Sequence, residues 1–238
     1  MKVDILAFGA HPDDVELACS GTVLAHVSKG YKVGIVDLSA GELGTRGSAE
    51  LRLVEANNSA KILGVEKRVN LGLSDGFFEI NEESMLKVVE QIRYFRPEII
   101  LCNSVSDRHP DHSRGGDLVS RANFISGLRK VETRFENENQ DAWRAKVIYR
   151  YIQDRWIEPD IVVDISERWE DKLKSVKAFS SQFYDPDSKE PESPISTKGF
   201  FDFLDGRARQ FGRVIQKEFG EGFNVERSPG TSDLMGLL

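Results

Sequence analysis

Two short segments carry the residues best suited to chemistry, "HPDD" at 11–14 and "HPDH" at 109–112. Each sets two metal-competent side chains three residues apart, His11 with Asp14 and His109 with His112. A proline after the first histidine of each fixes φ and stiffens the turn that aims the donors. Imidazole nitrogen and carboxylate oxygen are the usual ligands of a hydrolytic zinc site, at about 2.0–2.2 Å, and catalysis needs three protein ligands and one open position. His11, Asp14 and His112 meet that need, with one Zn2+ per chain as the expected ion. The same donors also admit Fe2+ or Mn2+. Asp13 is then left to act as general base toward water. His109 is placed to stabilise an oxyanion or protonate a leaving amine, and Asp111 to orient an imidazole from behind.

Three arginines accompany these segments: Arg46 in "GELGTRG", Arg52 just beyond it, and Arg108 beside His109. Guanidinium forks suit bidentate capture of carboxylates, so they are candidate substrate contacts. Gly41, Gly44 and Gly47 in the same loop allow backbone to approach a ligand closely. His26 is different. Twelve helical residues beyond Asp14, it falls about 18 Å away at ~1.5 Å per residue, which leaves it a structural role.

The elements that must position these groups alternate in type. Apolar, β-rich runs at 3–10, 32–39, 68–73, 98–104, 146–152 and 161–166 are separated by stretches of helical period. That rhythm predicts an α/β, Rossmann-like single domain: a mostly parallel sheet with helices on both faces. The first helix contains "VELACSGTVLAHVSKG" and stops at Gly30; others are expected at 48–63, 82–95, from near Ser113, at about 167–180 and at about 197–219. The domain is expected over 1–225, followed by a frayed tail at 226–238. The polar residues "HPDD", "GELGTRG", "SDG" and "SDRHPDH" come after the first four strands in turn, so four strand ends should share one crevice. The charged stretch 129–140 reads as a solvated connection. The Pro- and Ser-rich stretch 184–198 reads as a long loop of the kind that is often functional.

Composition narrows the function classes. A chain of 238 residues with 39% hydrophobic and 30% charged residues is that of an ordinary globular protein with one sizeable core. No window approaches the ~20 apolar residues of a membrane span, and "MKVDILAF" runs straight into a strand without a secretory pattern, so a cytoplasmic protein is expected. A net charge of −7 lacks the basic face that nucleic acid requires. Cys19 and Cys102 have neither a framework count nor a CxxC spacing and read as buried thiols.

With these residues in view, the sequence resembles the LmbE-like, PIG-L superfamily of zinc-dependent N-deacetylases, whose signatures are AHPDD after the first strand and a later HPDH. "DLSAGELGTRG", "NLGLSDGFF", "DRHPDHSRG", "SGLRKVET", "YIQDRWIEPDIVVDIS", "FSSQFYDP" and "ARQFG" are similar to the bacillithiol-pathway branch, the N-acetyl-α-D-glucosaminyl L-malate deacetylases, over about 3–223. The resemblance implies Zn2+ on His11, Asp14 and His112, Asp13 as base, His109 as electrophile or acid, and Arg52 and Arg108 at the malate end of the substrate. It also implies a tyrosine from the C-terminal half, for which Tyr184 is the candidate, and a homo-oligomer, commonly a trimer-based hexamer. The expected reaction is hydrolysis of the acetamide of N-acetylglucosaminyl-malate to glucosaminyl-malate and acetate. The expected partner is a small N-acetylglucosaminide, not nucleic acid or membrane.

Three other readings compete. Another N-acetylglucosaminide, a thiol conjugate or a chito-oligosaccharide, can be the substrate of the same chemistry. A nucleotide- or NAD-binding module is the second, with Asp37 near the place of a ribose-binding acid. Two carboxylates where a pyrophosphate must meet a helix N-terminus count against it. A metal-binding protein without turnover is the third.

Overall fold

The computed structural model describes residues 1–237. Nine strands run in chain order: β1 (Ile5–Gly9), β2 (Val33–Ser39), β3 (Lys67–Leu73), β4 (Ile99–Cys102), β5 (Arg134–Phe135), β6 (Glu138–Asn139), β7 (Val147–Tyr151), β8 (Ile161–Asp164) and β9 (Gly220–Val225). Six α-helices are α1 (Asp14–Val27), α2 (Ala49–Leu63), α3 (Glu82–Phe95), α4 (Pro110–Ser126), α5 (Trp169–Lys177) and α6 (Phe200–Val214). Seven strands make one sheet in the order β3-β2-β1-β4-β7-β9-β8. The first five of these are parallel, whereas β9 pairs antiparallel with both β7 and β8.

Strand β1 shows why this sequence builds two faces. Side chains alternate along a strand, so Leu6 and Phe8 turn one way and Ile5 and Ala7 the other. Leu6 and Phe8 join Val88, Ile92 and Phe95 of α3 and Leu118 and Val119 of α4. Ile5 and Ala7 meet Val15, Ala18, Cys19 and Val23 of α1. A further layer packs Leu17 of α1 and Ala56 of α2 against Trp169 and Val176 of α5 and Phe200, Leu204 and Ala208 of α6. Helix α1 is therefore covered by sheet on one side and helices on the other. It carries no polar stripe for that reason.

A buried ion pair stitches this second layer to α1. Lys172 Nζ donates to Glu221 Oε1 at 2.6 Å and to the Leu17 carbonyl at 2.9 Å, and the Glu221 carboxylate accepts the Gly21 and Thr22 amides at 2.9 and 2.7 Å. Gly21 is required there, because a Cβ would stand 2.8 Å from Ile165. Lys172 and Glu221 are only 2% and 3% exposed. Lys172→Met leaves the carboxylate buried and unpaired, and is expected to cost about 3–5 kcal/mol in a denaturant titration. The double substitution with Glu221→Met is expected to recover part of that loss.

The expected helices at 48–63 and 82–95 are found almost to the residue, and each has a capping side chain, Ser48 or Asn81, accepting an amide of the first turn. Other limits differ. Helix α4 begins at Pro110 rather than near Ser113, because His109 caps it through the Asp111 amide. The fifth helix is shorter than 167–180 and comes after a 3-10 turn at Ser166–Arg168; the last ends at Val214. Strand β9 was not expected: two glycines in "GEGFNV" weaken its local signal, and Gly222 is needed where a Cβ would strike Phe211 at 2.5 Å. The connection 129–140 contains the β5–β6 hairpin, turned by Glu136 and Asn137 at φ 51° and 65°. Residues 226–233 form no helix or strand, a short 3-10 turn comes next at Leu234–Leu237, and the last residue of the expected tail lies outside the described residues. Cys19 and Cys102 are free and buried. No described helix is long and apolar enough to cross a membrane.

Candidate active site

The sheet order puts the C-terminal ends of β3, β2, β1 and β4 side by side, and the loops leaving those ends line one cavity of about 480 Å³. It lies where the chain leaves β1 toward β2 on one side and takes up β4 on the other, the switch point at which such sheets bind ligands. His11, Asp13, Asp14, Arg46, Arg52, Arg108, His109 and His112 all line it.

His11 and His112 approach opposite oxygens of one buried carboxylate. Asp14 Oδ2 lies 3.6 Å from His11 Nδ1, and Asp14 Oδ1 lies 3.2 Å from His112 Nε2. The far nitrogen of each ring is also held by carboxylates. His11 Nε2 is 3.1 Å from Asp75 Oδ1 and 3.5 Å from Asp111 Oδ2, and His112 Nδ1 is 2.9 Å from Asp107 Oδ2. A ring that donates its outer N–H to a carboxylate presents a lone pair at the inner nitrogen, the arrangement in which histidines hold metals. Asp14 is itself fixed by the His11 amide and by Asn103 Nδ2 and Gln153 Nε2, at 3.0, 2.9 and 2.9 Å. The amide oxygens of Asn103 and Gln153 are buried without partners. Two sets of donor atoms lie within 4.8 Å of one another, those of His11, His109 and His112 and those of His11, Asp75 and Asp111, and Asp14 is in neither.

The charges explain what the cluster wants. Burial alone would push the His11 imidazole down, but the hydrogen bonds it donates to Asp111, Asp14 and Asp75 hold it well above its usual value. Burial is likewise outweighed at His112, where the Asp14 charge and hydrogen bonds to Asp107 and Asp14 raise the pKa to about 9. Asp14, despite its burial, is kept well below the usual carboxylate range by His112 and His11. Such a surplus of carboxylates around two imidazoles favours positive charge, supplied by protons or by a divalent cation. The nitrogen and oxygen donors present fit such an ion.

Asp13 occupies the N-cap position of α1 without capping it. Its backbone stands at φ 119°, a left-handed conformation that costs a non-glycine residue about 1–3 kcal/mol and concentrates at working sites. Its side chain turns to Arg52 instead, Oδ2 accepting Nη2 at 3.0 Å. Burial raises the Asp13 carboxyl to about 7, with Arg52 pulling the other way. His109 Nδ1 accepts the Asp111 amide at 3.2 Å, which leaves Nε2 of the neutral ring as the donor. Burial and the charges on His11 and His112 lower its pKa and favour that neutral form.

The other expected site residues make the following contacts. The guanidinium of Arg52 is already engaged by Asp13, by the Pro12 carbonyl at 2.6 Å and by the Gly41 carbonyl at 3.3 Å. A Cβ at Gly41, whose φ is +66°, would lie 2.1 Å from Arg52 Nη1, so the glycine makes room for this arginine rather than for a ligand. Arg108 donates to Asp154 at 2.6 Å, with a side chain 47% exposed. Arg46 is buried, its Nε without a hydrogen-bond partner and 3.7 Å from Glu190 Oε2. Asp111 serves His11 and also pairs with Arg114 at 3.0 Å. Tyr184 is 46% exposed and is not among the residues lining the cavity. Asp37 is occupied by Arg68 at 2.7 and 2.8 Å, so no ribose-binding acid is on offer. His26 bonds within its helix, to the Thr22 carbonyl at 2.7 Å.

Asp75, Asn103, Asp107 and Gln153 were not singled out from the sequence. Each comes just after a strand end, and Asp75 and Asp107 sit inside "SDG" and "SDRHPDH", so position at the sheet's carboxyl edge was the available signal. Gln182, Ser193, Pro194 and Ile195 close another wall of the cavity from a distant part of the chain. The Pro-rich stretch that contains the last three thus wraps the site. Phe77, 74% exposed, and Leu43, 61% exposed, form an apolar rim.

Comparison with known proteins gives three kinds of likeness. The family model described as "PIG-L: GlcNAc-PI de-N-acetylase" matches residues 6–123. A diacetylchitobiose deacetylase of Thermococcus kodakarensis is 30% identical over 189 residues, 75% of this chain and 70% of that protein. A probable N-acetyl-α-D-glucosaminyl L-malate deacetylase 2 of Bacillus cereus is 25% identical over 195 residues, 76% of this chain and 84% of its own length. Among solved structures, a conserved protein from Thermus thermophilus superposes with a TM-score of 0.84 at 30% identity, covering 97% of each chain.

Proposed function

The chain belongs to the PIG-L, GlcNAc-PI de-N-acetylase family, and from that premise we propose that it is a metal-dependent N-deacetylase acting on an N-acetylglucosaminide. The observation that carries the reading is that Asp13 and His109 line the same cavity as the buried His11–Asp14–His112 cluster, so base, electrophile and cation donors share one substrate. His11, Asp14 and His112 would hold the ion, Zn2+ on this reading, with Fe2+ or Mn2+ compatible with the same donors. When bound, such an ion acts as a Lewis acid and lowers the pKa of water.

Asp13 takes a proton from the attacking water as its oxygen bonds to the acetamide carbon. Arg52 holds one carboxylate oxygen and thereby aims the other. His109 donates Nε2–H to the carbonyl oxygen as that atom gains charge. Collapse breaks the C–N bond, the amine receives the proton carried by Asp13, and acetate leaves. The neutral ring keeps one N–H for this duty, and the Asp111 amide on Nδ1 holds the imidazole in the tautomer that carries it on Nε2.

The aglycone has two readings. N-acetylglucosaminyl-malate, in bacillithiol biosynthesis, is supported by the Bacillus likeness and by Arg108 and Arg46, which line the cavity. A second sugar, as in diacetylchitobiose, is supported by the Thermococcus likeness and by the exposed Phe77 and Leu43, which suit the apolar face of a pyranose. The test is release of free amine from N-acetylglucosaminyl-malate, diacetylchitobiose and N-acetylglucosamine by the metal-loaded protein. On the malate reading Arg108→Ala raises KM for that conjugate by about 10–100-fold, the worth of a charge-assisted hydrogen bond of ~1.5–3 kcal/mol, and leaves the other two unchanged. No amine from any acetamide would overturn the deacetylase reading. The proposal includes a cytoplasmic homo-oligomer, a trimer-based hexamer, which sedimentation checks.

A further inference from the structure

Helix α6 takes no direct part in the site, yet one of its residues is tied to it. Phe203, Arg207 and Phe211, spaced by four, stand on one face of the helix. The Arg207 guanidinium lies 5.1 Å from the Phe203 ring centre, 5.9 Å from that of Phe211 and 5.6 Å from that of Trp156. Trp156 itself stacks on Phe211 with ring centres 4.9 Å apart. From this aromatic seat Arg207 donates Nη1 to the Gln153 carbonyl at 3.0 Å and Nη2 to the Asp154 carbonyl at 2.6 Å.

Those two carbonyls belong to the turn after β7, and three ties leave the turn for the site. Gln153 Nε2 holds Asp14 Oδ1 at 2.9 Å. The amides of Asp154 and Arg155 hold Asp107 at 3.3 and 3.0 Å, and Asp107 in turn holds His112 Nδ1. Asp154 Oδ2 holds Arg108. Packing between this turn and α6 is incomplete, since Gln153 and Asp154 line a cavity of about 30 Å³ together with Phe203 and Leu204. A planar fork gripping two successive carbonyls restrains peptide orientation in a way that apolar contact does not.

We infer that Arg207 is a positioning residue that sets the 153–155 turn and, through Gln153 and Asp107, the aim of Asp14 and His112 at a cation. The inference rests on the reading of His11, Asp14 and His112 as cation donors. In that arrangement an outer partner of a ligand is worth about 10–100-fold in metal affinity.

The experiment compares the full-length wild type with Arg207→Ala and Arg207→Lys. Amide hydrogen exchange at Asp154 and Arg155 is read in the metal-free proteins beside amides of α3, and Co2+ affinity is measured by competition with a chelator. Arg207→Ala is expected to speed exchange at the two turn amides at least tenfold with α3 unchanged, and to weaken Co2+ by about 10–100-fold. Arg207→Lys, which can still reach the carbonyls, is expected to recover part of both. Unchanged turn exchange and Co2+ affinity in Arg207→Ala overturn the inference, and so does a loss shared equally by α3, which would mark a global effect. A wild type that binds Co2+ without releasing amine from any acetamide defeats the deacetylase reading and leaves this one standing. A wild type that binds no Co2+ defeats both.

Discussion

Asp13→Asn is expected to bind its metal as the wild type does and to lose about 10²–10⁴-fold in kcat, the usual contribution of a positioned general base. The amide has nearly the shape of the carboxylate and can still meet Arg52, so the pocket should survive the exchange while the proton acceptor does not. The fold sustains the strained φ of 119° at this residue because it points the side chain away from the helix it precedes and toward Arg52 and the cavity. Burial, which pushes the carboxyl up to about 7, makes it a stronger base than an exposed aspartate, while Arg52 limits the rise. Metal content, measured with single-turnover rates on an N-acetylglucosaminide, checks the split. Full activity with metal in place would remove Asp13 from the role of base.

Asp14→Ala is expected to lose both metal and turnover. The residue is the shared neighbour of His11 and His112, and its loss also strips a partner from the His11 amide, Asn103 and Gln153. Affinity should fall by more than the ~10–100-fold that an outer partner costs. Asp107→Asn supplies that milder reference, because it weakens the hold on His112 Nδ1 and leaves all three proposed ligands in place. Isothermal titration with Zn2+, with circular dichroism to show that each variant folds, separates the cases. An Asp14→Ala protein that keeps one equivalent of tightly held zinc would move the ion to the neighbouring set of His11, Asp75 and Asp111.

Much of this site could be read in the chain because the parallel sheet turns sequence order into spatial order. With β1 to β4 recognised as strands, the loops beyond their carboxyl ends had to meet along one edge, and His11, Asp13, Asp14, His109 and His112 line a common cavity accordingly. Helices α2 and α3 were equally legible, since their caps are local. Strand β9 was not, because two glycines erase its pattern and its place between β7 and β8 is set by contacts from far away in the chain.

The sequence by itself determined which residue types meet at the crevice and, through the two proline-stiffened turns, their spacing. It determined the alternation that makes two faces on one sheet. Tertiary structure alone decided what each polar group does with its remaining hydrogen bonds. Arg52 is drawn to Asp13, Asp107 and Asp75 hold the outer nitrogens of His112 and His11, and Asp37 is taken by Arg68. It also decided that the 193–195 segment closes one wall while Tyr184 stays outside the lining. The physical reason is that a buried charge must find a partner wherever the fold brings one, and that choice depends on distances across the molecule rather than along the chain.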